Sequence, residues 1–228
     1  MEHPAGELST PLSVAMREGS RREHQQAEGT DFVSDLVAGR AHRDQYAGYL
    51  ARLRAVYAAL ESAVHDHRHD PAVAQVYDES LCRLDALDVD LDFWGHAADR
   101  GPTSPAAESY RARIDRARAT PPLLVAHHYT RYLGDLSGGR LLAQAMRRGY
   151  PGLDRGGLAF YEFDLIPKPV AYKRAYRSRL DDLRLSPAVR AAVVEEVRHA
   201  FRLNHALLDE VASLGSVTRH AVIQQWPG

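Results

Sequence analysis

The sequence predicts an all-α protein built around one core, and three observations predict it. Apolar residues recur at three- and four-residue steps along most of the chain, and N-capping hydroxyls stand before prolines at three places. No segment alternates apolar and polar residues beyond a few positions, as strands would require. At 228 residues, 45% hydrophobic and 26% charged, the chain can bury one substantial core. Neither a linker nor a repeat of the roughly 20 to 50 residues typical of solenoids is present, so a single domain is expected over 11–215. Residues 1–10 read as a flexible N-terminal tail and 216–228 as a C-terminal tail.

The first predicted helix places Arg17, Arg21, His24 and Glu28 on one face at spacings of four, three and four. The next is a long amphipathic helix stepping through Tyr46, Leu50, Leu53, Tyr57, Leu60 and Val64, and ending near His65, His67, His69 and the breaker Asp70-Pro71. Gly101-Pro102 breaks the chain before Ser104-Pro105 starts another helix, and Thr120-Pro121 starts a third, which carries the densest motif of the chain. Tyr150-Pro151-Gly152 and Pro167-Lys168-Pro169 punctuate the route to a helix bearing Lys173 and Arg177. Ser186-Pro187 opens the last helix, with Val189, Val193, Val197, Phe201, Asn204, Leu208 and Val211 in register.

Charge and cysteine content narrow the function. Lys and Arg total 29 against 30 Asp and Glu, so no overall field draws the protein to nucleic acid or an anionic membrane. The single Cys82 allows neither an internal disulfide nor a thiolate zinc site, which suits a reducing cytoplasm. The longest run without Asp, Glu, Lys or Arg, Ala119 to Thr130, is shorter than the roughly 20 residues of a membrane span. The N-terminus lacks the basic start and apolar run of a secretory signal. No nucleotide-binding glycine loop and no nucleophile elbow occur, and the one Glu-x-x-His motif, Glu196 to His199, is too few for a dimetal bundle.

Three constellations remain. The 17–28 stripe reads either as a solvated charged face or as a histidine prepared for a metal inside an anionic organic ligand, because arginines beside it disfavour a bare cation. Lys168 and Lys173 are the only lysines, so the Lys173/Arg177 pair on one helical face is either surface charge or an anion contact. In the segment Tyr129 to Arg140, Gly134, Gly138 and Gly139 cost a helix about 2–3 kcal/mol relative to alanine. They imply either tight helix packing or backbone bared to a planar ligand, with Asp135 beside the opening, four residues from both Arg131 and Gly139.

Taken together, these residues resemble the heme oxygenase family, over nearly the whole chain from about Met16 to Leu208. The segment Tyr129 to Gly139 matches that family's glycine-rich signature. The resemblance implies a helical bundle sandwiching heme between a proximal and a kinked distal helix, with His24 as proximal iron ligand and Glu28 as its hydrogen-bonding partner. It implies that Arg17, Arg21, Lys173 and Arg177 hold the propionates, with Tyr129 on the same side, that Phe201 and Asn204 line the pocket, and that Arg131 and Asp135 are the distal pair. Gly134, Gly138 and Gly139 would press bare backbone against dioxygen, and Asp135 would hold a water. Arg17 and Arg21 stand where lysine is frequent and Arg140 where glutamine is. The chain ends without the hydrophobic tail of eukaryotic members, like the soluble bacterial form.

The implied reaction uses heme b as both substrate and cofactor and O2 as co-substrate, and yields biliverdin, carbon monoxide and ferrous iron. An external donor such as a ferredoxin or flavoprotein reductase must supply electrons, since no flavin or nicotinamide fingerprint is present. A heme storage, delivery or sensing protein on the same fold is the alternative; a partner-binding bundle that takes up no heme is a third.

Overall fold

The computed structural model describes residues 10–95, 104–150, 152–153 and 156–223, with side chains to 213. Among them every regular element is helical. At the centre lies α4 (Arg43–Asp66), opened by a capping box in which His42 Nδ1 accepts from Asp44 N and Gln45 Oε1 accepts from His42 N at 2.9 Å. Its predicted stripe, Tyr46 to Val64, is buried. Against it pack α5 (Leu84–Trp94), α6 (Pro105–Ala117) and α10 (Pro187–Ile223). The sequence-predicted tail boundary at 216 falls inside α10, and the tail's last residues, 224–228, lie outside the described residues, as do 1–9 and the breakers Gly101-Pro102 and Pro151.

Two of the three predicted caps form: Ser104 Oγ accepts from Ala107 N at 3.1 Å, and Ser186 Oγ from Val189 N at 3.3 Å. Thr120 makes no side-chain cap. Consecutive Pro121 and Pro122 withhold the first two N–H groups, so the chain first makes a 3₁₀ turn, Pro121–Leu123, before α7 (Leu124–His128).

The first predicted helix is two helices, α1 (Leu12–Gly19) and α2 (Arg21–Glu28). Ser20, at φ −114° and ψ 12°, leaves the helical region, and its hydroxyl donates to Met16 O at 2.8 Å. Close approach to α10 fixes the break: a Cβ on Gly19 would lie 2.7 Å from Val194 Cγ1, and Arg198 Nε donates to Gly19 O at 2.6 Å. The 17–28 stripe therefore survives as a surface shared by two helices.

From Leu124 the chain runs helically to the end of α8 (Arg140–Gly149), with π-helical stretches at Tyr129–Leu133 and Asp135–Gly139. The distal helix, which the resemblance implies is kinked, is widened over these two stretches, a form that recurs at functional sites. Two polar ties brace α10. Arg52 Nε donates to Glu210 Oε1 at 2.8 Å, and Glu196, beside α7, accepts from Arg113 Nε at 2.8 Å and bonds His127 Nε2 at 2.8 Å. The Glu196 of the lone Glu-x-x-His motif is therefore a structural anion, its carboxyl held down to about 2, against the cost of burial, by His127 and Arg113. The remaining helices are α3 (Asp31–Val37) and α9 (Pro169–Asp181).

Candidate functional site

A cleft of about 560 Å³ separates α1 and α2 from the π-helical segment, within the size range of small-molecule sites. His24, Arg17, Arg21 and Glu28 line one wall; Tyr129, Arg131, Gly134, Asp135, Gly138 and Gly139 line the other. Arg177, Phe201 and Asn204 also reach it. The geometry thus brings together thirteen of the fourteen residues expected from sequence.

The α1–α2 wall is open. His24 is 48% exposed at its side chain, with Nδ1 3.4 Å from Glu28 Oε2, and its ring meets the Phe201 ring edge-on at 5.2 Å. Arg17 and Arg21 share one carboxylate: Arg17 Nη2 donates to Glu18 Oε1 at 3.1 Å, and Arg21 donates to the other oxygen. All three side chains are well exposed.

The opposite wall is closed and bonded. Asp135 accepts from Tyr57 OH and, at 3.4 Å, from Arg131 Nη2; Arg131 Nε donates to Tyr57 OH at 3.2 Å and Nη1 to Asn204 Oδ1. Four elements therefore meet in one buried network: α4, the two π-helical stretches and α10. Burial pushes the Asp135 carboxyl up, against the pull of Arg131 and the Tyr57 bond. Burial raises Tyr57 as well, so the phenol remains a proton donor.

The three glycines divide. A Cβ at Gly134 or Gly138 would meet nothing within 4 Å, leaving their backbone bare toward open space. At Gly139 it would lie 2.7 Å from Tyr161 Cδ1. Gly139 is thus also a close-packing glycine, since the Tyr161 ring fills the direction a Cβ would take, while its backbone still lines the cleft.

Lys173 is the one expected residue that does not line the cleft. Its Nζ turns to the distal segment and donates to Ser137 Oγ at 2.9 Å. Arg177, one turn on, does line it. Beneath α9, His128 Nδ1 and Tyr176 OH bond at 2.8 Å with their rings stacked; burial holds the His128 imidazole neutral, its pKa lowered to about 3.

Tyr57, Tyr161 and Ser137 were missed by sequence reasoning. Tyr57 sits in an apolar stripe of α4, where only the rule that a buried phenol needs a partner signals more than packing. Thr130, which lines the cleft, keeps a buried hydroxyl without a hydrogen-bond partner among the described residues, polar capacity that a bound molecule or water would satisfy. Among the described residues no group of three or more His, Cys, Asp or Glu converges as a cage for a bare metal ion.

The sequence model of the Heme oxygenase family matches residues 10–210. The chain is 39% identical over 220 residues to Heme oxygenase 1 of Homo sapiens, covering 94% of this chain and 76% of that protein. It is 35% identical to Heme oxygenase 1 of Synechocystis over 90% of this chain and 86% of the relative. The crystal structure of Synechocystis heme oxygenase-1 in complex with heme superposes with a TM-score of 0.84 at 32% identity, covering 93% of this chain and all of that one. The heme oxygenase of Leptospira interrogans also gives 0.84, over 88% of this chain.

Proposed function

The chain belongs to the heme oxygenase family, and from that premise we infer that it binds heme as substrate in the α1–α2 cleft and cleaves it with O2 and external electrons to biliverdin, carbon monoxide and ferrous iron. One observation carries the residue assignment: an accessible imidazole and a side-chain-free stretch of backbone face each other across a slot rimmed by arginines.

The residues fit that substrate. Ala27, Val33, Leu133, Leu142 and Leu208 give the cleft apolar walls for a porphyrin face, and Arg17, Arg21 and Arg177 supply cations for its carboxylates, with Tyr129 beside them. His24 is the iron ligand, and Glu28 orients the ring through Nδ1. The bound heme supplies the redox-active iron at which dioxygen is reduced; a neutral histidine donates less electron density to it than a cysteine thiolate does. Gly134 and Gly138 leave room for the second reactant against the backbone.

Asp135 is a positioning residue. Its carboxylate, fixed by Tyr57 and Arg131, holds a water in the cleft, and Asn204 fixes Arg131 in turn. This network favours turnover over storage, which needs no buried proton-holding group beside the bare backbone. The electron donor, a ferredoxin or flavoprotein reductase, docks from outside, and the cytoplasm is the compartment we assign. No described helix is long and apolar enough to cross a membrane.

Mixing the protein with hemin, a reductant and air tests the reading: loss of heme absorption with growth of a bilin band is expected, and persistence of the heme band under those conditions would favour storage. His24→Ala should lose the histidine-ligated heme spectrum and recover it with added imidazole. Asp135→Ala should retain heme yet divert turnover from biliverdin to a peroxidase-like product; undiminished biliverdin would count against the water-holding role.

A further inference from the structure

We propose that Asp90 of α5 is a positioning residue that holds the distal wall in place through two consecutive rings, Phe160 and Tyr161; its bearing on turnover rests on the function proposed above. Asp90 is fully buried and does not line the cleft. Its Oδ1 accepts from Ala159 N and its Oδ2 from Phe160 N, both at 2.8 Å. One turn further along α5, Trp94 Nε1 donates to Gly157 O at 3.0 Å. A single helix thus offers two acceptors and one donor to three backbone groups that lie far along the chain.

The fit is specific to a carboxylate. Two N–H groups need two acceptors, and an asparagine amide would turn a donor toward one of them. Bonds to an ionised acceptor are also the stronger kind. The cost is burial, which pushes the Asp90 carboxyl up against the pull of those two bonds. Gly157 lets the segment come this close. At φ +84° it occupies the left-handed region, and a Cβ there would lie 2.5 Å from Phe93 Cδ1 and 3.0 Å from Trp94 Nε1.

What this clamp holds is the 3₁₀ turn Ala159–Tyr161, and that turn delivers one ring to each of two places in the distal wall. The Phe160 ring meets the Tyr57 ring edge-on at 5.5 Å, and Tyr57 is the phenol that donates to Asp135. The next ring, Tyr161, fills the space beside Gly139 and packs edge-on against Phe160 at 4.9 Å. Interiors are close-packed, so a shift of the turn moves both rings and is felt at both places. Asp90 therefore acts on the Asp135 network and on the Gly139 backbone without touching either.

Amide hydrogen exchange of the heme-free protein reads the clamp directly. Asp90→Asn should speed exchange at Ala159 and Phe160 about ten-fold and at residues 134–139 about three-fold, as loss of a bond to a charged acceptor implies. The amides of α6 should keep their rate, whereas a general loss of stability would speed them in proportion. Phe160→Leu, which leaves Asp90 and its bonds in place, should speed 134–139 and spare Ala159. In the hemin complex, Asp90→Asn should move the midpoint of the spectral pH titration while hemin affinity holds, because the Asp135 network has shifted and the substrate contacts have not. Either an unmoved midpoint or exchange at 134–139 that merely tracks α6 would overturn the proposal. If the unaltered protein takes up no hemin, the heme reading falls, and faster exchange at 134–139 upholds the clamp by itself.

Discussion

The two walls of the cleft are built on opposite plans. On the α1–α2 side, Arg17 and Arg21 are more than half exposed and His24 nearly so, and they pair with carboxylates that are themselves exposed, Glu18 and Glu28. On the distal side, Arg131 and Asp135 are buried and tied to Tyr57 and Asn204 from two further helices. Exposed ion pairs contribute little, whereas buried ones are costly to disrupt. The difference teaches that the first wall is completed by what it binds, while the second is set before anything arrives. A ligand can enter past groups that move cheaply and meet a surface that does not.

The sharpest way to break this contrast is to remove one arginine from each wall. Arg131→Met strands the buried Asp135 carboxylate and should lower folding stability by about 3–5 kcal/mol in urea unfolding. Arg21→Met should stay within about 0.5 kcal/mol while weakening hemin uptake. Equal losses from both would erase the distinction.

The glycines sharpen it within the distal wall. Gly139→Ala drives a methyl into the Tyr161 ring and should cost about 1–3 kcal/mol. Gly138→Ala meets no atom and should stabilise the heme-free protein by about 0.5–1 kcal/mol through helix propensity, yet impair turnover. A thermal melt and the hemin assay on both variants separate packing from access.

Acid titration probes the support beneath the distal wall. His128 has a folded pKa of about 3, below the roughly 6.5 of an unfolded histidine, so the unfolded chain takes the proton first as pH falls. Its contribution is fully present above pH about 6.5 and is lost on the way down to about 3, amounting to about 2 kcal/mol by pH 5. His128→Gln, which keeps a partner for Tyr176, should flatten that limb of the stability curve; a curve of unchanged slope would contradict the assignment. The smallest effect belongs to the open wall: Glu28→Gln should leave stability within about 0.5 kcal/mol and alter chiefly the spectrum of the heme complex.

Much of this was legible in the chain. The stripe from Tyr46 to Val64 announced α4, Ser104 and Ser186 announced two helix starts, and the four-residue spacing of Arg131 and Asp135 announced a shared helical face. Those signals are local, carried by residues within a turn or two of each other. The break at Ser20 was not legible, because it follows from Gly19 meeting Val194, far away in sequence. Nor was the packing role of Gly139 against Tyr161, nor the turn of Lys173 toward Ser137. Tyr57 was read as core, and it is core, but its hydroxyl ends on Asp135.

By itself the sequence determined the helical class, because periodicity and caps are properties of neighbours along the chain, and through the resemblance its motifs carry it pointed to the family and to thirteen of the residues that line the cleft. Tertiary structure alone decided which glycines are bare and which are packed, which carboxylate is buried, and which side chain the Lys173 ammonium rests on. Those outcomes depend on the distance between atoms that the chain separates by tens of residues, and the packing of α4, α9, α10 and the turn Ala159–Tyr161 against the distal helix sets that distance.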